Sequence, residues 1–212
     1  MFTLIKREIE DHIGYFLGAT IFAIATIFVA IAFYAADSDR HVWPAGAAII
    51  LFVATAFVTV LGSCAMGVSQ MYADRTKRIS AFLSALPVTR RQIFAARIIT
   101  GILAILLFLV PLAVTAEIFF RRFVPPHLMR GPVVAEIFAA VFLMGFACYC
   151  LGLQTGWSSG KLAPTLGSLG LTCLLASLII VKGFGLPFMV IILILIFASV
   201  ICSWHQFTST SL

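Results

Sequence analysis

Six long stretches of this chain carry no charged side chain: Gly14–Ala36, Val42–Ala73, Ile98–Ala116, Ile137–Gly160, Leu162–Val181 and Gly183–Leu212. A bilayer core of roughly 30 Å takes about 20 apolar residues of helix to cross, which each stretch supplies. Six helices buried in a soluble bundle would instead need polar faces, and these stretches have none. Composition agrees: 62% of residues are hydrophobic and only 10% charged, against roughly a quarter charged in a typical soluble domain. The expected fold is therefore all-α, a polytopic membrane protein of one transmembrane domain over 1–212. Its six transmembrane helices are expected near 14–36, 45–70, 98–118, 135–156, 164–181 and 187–204.

Orientation follows from the distribution of Lys and Arg. With the N-terminus inside, the inner segments hold Lys6, Arg7, Arg75, Lys77, Arg78, Arg90, Arg91, Arg97 and Lys161. The outer segments hold Arg40, Arg121, Arg122, Arg130 and Lys182. This bias predicts both termini on the cytoplasmic side of the cell's inner (plasma) membrane. The net charge of +6 then reads as loops facing anionic membrane lipid, with no nucleic-acid partner implied.

The segment ahead of the first span mixes acids with bases (Lys6, Arg7, Glu8, Glu10, Asp11), unlike the n-region of a cleaved signal peptide. Leu4, Ile5, Ile9 and Ile13 form an apolar stripe opposite those charges. Met1–Ile13 is expected to be a short interfacial helix leading into the membrane.

The most informative polar segment lies between spans two and three. Six basic residues fall between Met71 and Arg97. Ile79, Phe82, Leu83 and Leu86 sit at i, i+3, i+4 and i+7, one face of a helix. Pro87 ends that helix, because it lacks an N–H and clashes with the preceding turn. Thr89 and Gln92 then read as a capping box that starts the next helix. A short amphipathic helix between two spans has something on its own side to dock against. Ile79, Phe82, Leu83 and Leu86 offer an apolar anchor, and Asp74, Arg75, Lys77 and Arg78 a charged rim.

Catalytic and metal patterns are weak. Cys64, Cys148, Cys150, Cys173 and Cys202 lack C-x-x-C or Cys/His ligand spacing and read as small packing residues. His12, His41, His127 and His205 sit at span ends. Gly156-Trp157-Ser158-Ser159-Gly160 fits G-x-S-x-G, but at the end of an apolar helix with no intramembrane His as base. An intramembrane serine hydrolase is thus a remote alternative. Gly156 to Lys161 is one residue short of a phosphate loop, and Leu162 replaces the magnesium-binding Ser or Thr. No catalytic, cofactor or metal site is expected in this chain.

Six spans, an amphipathic lead-in and a basic amphipathic helix between spans two and three resemble the permease subunits of ATP-binding-cassette (ABC) exporters of type 2. The closest local match is Ser84-Ala85-Leu86-Pro87-Val88-Thr89-Arg90-Arg91-Gln92-Ile93, similar to the family's s-L-P-v-s/t-r-x-x-i segment after its coupling helix. The chain departs from the family in having Asp74 as the coupling region's only acid, with no Gly following. The link Val181–Leu186 is also too short for an outer re-entrant helix. The resemblance implies half a translocation path, completed by a second copy or a homologous permease; the many Phe and few polar groups within the spans point to an amphiphilic or hydrophobic substrate. It implies a separate cytoplasmic ATPase subunit, which would carry ATP and magnesium. Docking of that ATPase would involve Asp74, Arg75, Arg78, Ile79, Phe82, Leu83, Leu86, Pro87, Arg90 and Arg91 on and around the coupling helix. The rival expectation is a membrane scaffold that anchors a cytoplasmic enzyme and transports nothing.

Overall fold

In the computed structural model, the structure describes residues 2–36, 43–76, 89–123, 133–157, 170 and 186–209. The helices are α1 (Phe2–Asp11), α2 (Ile13–Ala36), α3 (Trp43–Thr76), α4 (Arg90–Phe123), α5 (Val133–Trp157) and α6 (Leu186–Ser209). There is no strand among the described residues.

Local chemistry sets the helix boundaries. Thr89 caps α4 as the sequence predicts: Gln92 N–H donates to Thr89 Oγ1 at 3.4 Å, and Thr89 N–H donates to Gln92 Oε1 at 3.2 Å. This reciprocal pair satisfies two amides that the first helical turn leaves without partners. Pro44 and Pro187 stand at the second residue of α3 and α6, where a missing N–H costs no helical bond. Pro111 lies inside α4, and Thr115 donates its hydroxyl to the Pro111 carbonyl at 2.8 Å. Hydroxyls along α2 and α3 are tied in the same way to the preceding turn: Thr26 to Phe22, Thr59 to Thr55 and Ser63 to Thr59. Such back-bonding lets a helix carry Thr and Ser in a medium without water.

Three helices are long and apolar enough to cross a membrane, over Val53–Tyr72, Arg91–Ile118 and Ala135–Thr155. They coincide with the spans expected at 45–70, 98–118 and 135–156. The span expected at 14–36 lies in α2, which with α1 makes a pair bent by 69° and brings the count to up to four. The span expected at 187–204 falls on α6, whose apolar stretch Met189–His205 is shorter. The one expected at 164–181 lies outside the described residues, as does Cys173. The outer surface is apolar, with Ile21, Phe28, Val53, Ile118, Ile194 and Phe197 all exposed, as lipid contact requires.

The centre of the bundle is α5. Its consecutive residues Ala147, Cys148, Tyr149 and Cys150 are all fully buried, so this turn is covered on every side. The most extensive helix contact is between α3 and α5, followed by that between α5 and α6. Glycine makes the first possible. A Cβ added at Gly67 would run into the Tyr149 carbonyl, and one at Gly152 into the Cys64 carbonyl. Close backbone approach through small residues is the means by which helices associate in lipid, where no hydrophobic drive operates between them. Cys64, Cys148 and Cys150 are buried around this crossing, in the packing role their type suggested. α2 leans mainly on α4, where Ala23 packs with Phe108 and Leu112, while Gly14 and Gly18 have nothing within 4 Å of an added Cβ.

The crossing generates a prediction. Gly152→Ala should lower stability by about 1–3 kcal/mol, the usual cost of overpacking. Gly18→Ala, with open space around it, should be neutral or slightly stabilising. Thermal unfolding of both variants in detergent distinguishes them; equal behaviour would refute the glycine-dependent crossing.

Candidate functional site: a buried arginine at one end of the bundle

Arg97 lies about two turns into α4 and is only 1% exposed. The sequence reading counted it among the inner charges ahead of a span starting at 98. The helix begins at Arg90, at the cap the sequence predicts, but it carries Arg97 into the bundle, buried. An ionisable side chain in a membrane-spanning helix is expensive and must be paired. Its partners come from three other helices. Arg97 Nε donates to Glu8 Oε1 of α1 at 3.4 Å. Its Nη1 lies 3.5 Å from Met71 Sδ of α3. Its Cζ sits 5.6 Å from the centroid of the Phe207 ring of α6, within cation–π range.

Glu8 is the second departure from the sequence reading. It was grouped with the outward charges of α1, yet it faces Arg97 with its side chain only 18% exposed. The remaining charges of α1 do point outward and pair along the helix, Lys6 with Glu10 and Arg7 with Asp11, each at 3.8 Å. Leu4, Ile5 and Ile9 are half-buried as expected, while Ile13 of the same stripe is exposed. His12 forms the bend between α1 and α2. Its backbone carbonyl accepts from Tyr15 N–H at 2.9 Å. Its Nδ1 lies 3.1 Å from the Glu8 carbonyl and 3.9 Å from Glu8 Oε2.

Behind Arg97 stands Tyr149, whose Oη lies 2.8 Å from the Arg97 carbonyl and 2.6 Å from Gln70 Oε1. A phenol has one proton and cannot donate fully to both acceptors. As placed, Gln70 Nε2 is buried without a partner. Turning the amide over lets it donate to Tyr149 Oη, while Tyr149 donates to the Arg97 carbonyl. The outer end of the amide, in a residue 2% exposed, then presents an oxygen at the same place. The ring reaches this position because Gly101 leaves room for it; a Cβ there would lie inside the Tyr149 ring. On α6, Ser203 Oγ is also buried without a partner, one turn before Phe207. Phe94, Trp204 and Phe207 pack together beside it.

Of the residues expected to dock an ATPase, Asp74 and Arg75 lie in the last turn of α3, while Arg90 and Arg91 open α4, with Arg91 exposed. Arg78, Ile79, Phe82, Leu83, Leu86 and Pro87 lie outside the described residues, and the expected coupling helix with them. Ser158 of the G-x-S-x-G match is likewise outside. The structure brings together a different set: Glu8, Gln70, Arg97, Tyr149 and Phe207. One signal for Glu8 was in the sequence, since Leu4, Glu8 and His12 share a face at i, i+4 spacing. No family profile, curated protein or solved structure matches this chain.

The pair yields a double-mutant cycle. Removing one partner of a buried ion pair leaves the other uncompensated, at a cost of about 3–5 kcal/mol. Glu8→Ala should therefore destabilise strongly, and Glu8→Ala added to Arg97→Met should cost much less than the sum of the single changes. Denaturant or thermal unfolding in detergent measures the coupling. Additive effects would show that the two side chains do not interact.

Proposed function

We propose that this chain is the membrane subunit of an ABC-type exporter, forming half of a translocation path and driven by a separate ATPase. The observation that carries the reading is how α3 and α4 flank the basic segment 77–88. Arg97 meets Met71 at 3.5 Å, so the end of α3 and the start of α4 lie side by side. The Thr89–Gln92 cap fixes where α4 begins. A push on the segment between them would reach the Arg97 cluster through two helices at once, and from there α1, α5 and α6.

Two further observations support the reading. The apolar outer surface and the candidate spans agree with a bundle in lipid. Gln154 of α5 donates to Cys202 Sγ of α6 at 3.2 Å, so both helices finish at the same end. α6 therefore starts at the opposite end from the one where α5 stops, a placement that supports one more crossing between them. The substrate class in this reading is amphiphilic or hydrophobic, the membrane is the cell's inner membrane, and both termini are cytoplasmic. The second half of the path is another copy or a homologue.

The test is contact at the anchor face. A photo-cross-linking residue at Phe82, in native membranes, should capture a protein carrying an ATP-binding-cassette phosphate loop, identified by mass spectrometry. Phe82→Asp should weaken that association roughly thirtyfold or more, the consequence of losing an aromatic hot spot worth about 2 kcal/mol. Ser80→Asp, on the other face, should not. The isolated chain should hydrolyse no ATP. Activity in a clean preparation, or binding and transport unchanged in both variants, would sink the reading.

A further inference from the structure

The main apolar core runs along α4 only as far as Leu109. Ala104, Ile105 and Leu109 pack in it with residues of α3, α5 and α6. Nearer its start, the same helix is held by side chain and backbone alike. Arg97 meets Glu8 and Met71, Tyr149 bonds the Arg97 carbonyl, and the Tyr149 ring fills the space that Gly101 leaves. From Pro111 onward none of the described residues of α4 joins that core. Leu112 belongs instead to a separate, small cluster with Ala23 of α2 and Phe108.

The change in packing falls where the helix itself is weakest. Pro111 has no N–H to offer the Leu107 carbonyl, and its ring crowds that carbonyl. One turn later Thr115 donates its hydroxyl to the Pro111 carbonyl at 2.8 Å, a back-bond that tends to bend a helix. Proline is among the few causes of a sharp bend in a long helix. α2 is seated across this same turn. Its Phe22 ring stacks on Phe108 with centroids 5.7 Å apart. Ala23 packs with Phe108 and Leu112, which stand on either side of the proline. α2 carries a back-bond of its own here, from the Thr26 hydroxyl to the Phe22 carbonyl at 2.8 Å.

We infer that α4 is jointed at Pro111 and that α2 follows the joint. Residues 90–107 of α4 stay fixed to the bundle. The part that begins at Pro111 changes its angle, and the contacts of Phe22 and Ala23 carry the outer part of α2 with it. The device opens the bundle at the end away from Arg97, while the Arg97 end stays closed. It goes beyond the exporter reading and does not rest on it, because the joint belongs to this chain alone.

The test uses the full chain alone in lipid nanodiscs, without any ATPase, and measures distances between pairs of spin labels by pulsed electron spin resonance. All labels sit on exposed positions. Ile118 of α4 and Phe28 of α2 are each paired with Val190 of α6, and Leu103 with Ile201 serves as the inner control. Ile118 stands about 10 Å of helix beyond Pro111, so a bend change of about 20° displaces it by about 4 Å. The Ile118–Val190 distribution should therefore be about 4 Å wider in the wild type than in Pro111→Ala, and Phe28–Val190 should narrow with it. Thr115→Val, which keeps the proline, should narrow both in part. Leu103–Ile201 should be the same in all three proteins, which also shows that the variants fold. Equal widths at Ile118–Val190 in the wild type and both variants overturn the joint. Narrowing at Ile118 without narrowing at Phe28 overturns the part given to α2, and narrowing at Leu103–Ile201 overturns the fixed inner half.

Discussion

A cation inside a lipid-facing bundle is the constraint on which the remaining structure depends. Water cannot solvate Arg97, so the protein must supply the whole shell, and it does so from nearly every helix. α1 brings a carboxylate, α3 a thioether and α6 an aromatic face. α5 holds the arginine's own backbone carbonyl through Tyr149. Only α2 among the described helices contributes nothing to this cluster.

The apolar part of the fold serves this arrangement. Tyr149 can reach both Gln70 and the Arg97 carbonyl only because α5 lies tight against α3 and close to α4. Gly67 and Gly152 allow the first approach, and Gly101 makes room for the ring in the second. Three missing methyl groups thus decide where a phenol hydroxyl stands. Dispersion and close packing position the polar groups, and the polar groups in turn make any other packing register expensive.

Much of this was legible in the sequence, and what was not has a physical reason. Long charge-free runs fix helices because nothing else satisfies the backbone in lipid, and α3, α4 and α5 follow. The Thr89–Gln92 cap is a local rule acting over three residues, so it was readable. Glu8 and Arg97 were not, because their pairing spans 89 residues and each looked ordinary in its own segment. Glu8 stood among other charges near the N-terminus; Arg97 stood between the cap and an apolar run, where a charge is ordinarily expected at the membrane surface. The basic segment that carried the functional reading lies mostly in 77–88, between the described ends of α3 and α4.

The order of the partners along the chain has a consequence for biosynthesis. Glu8 and Met71 both precede Arg97, whereas Tyr149 and Phe207 follow it. When α4 emerges from the ribosome, a carboxylate and a sulfur are already in place to receive its guanidinium. The charge need not wait, bare, for half of the protein to be made. α5 and α6 arrive later and roof over a pair that already exists. The same ordering leaves Gln70 and the Arg97 carbonyl as a docking target for the incoming Tyr149, so insertion and assembly can proceed from the N-terminus without a costly intermediate.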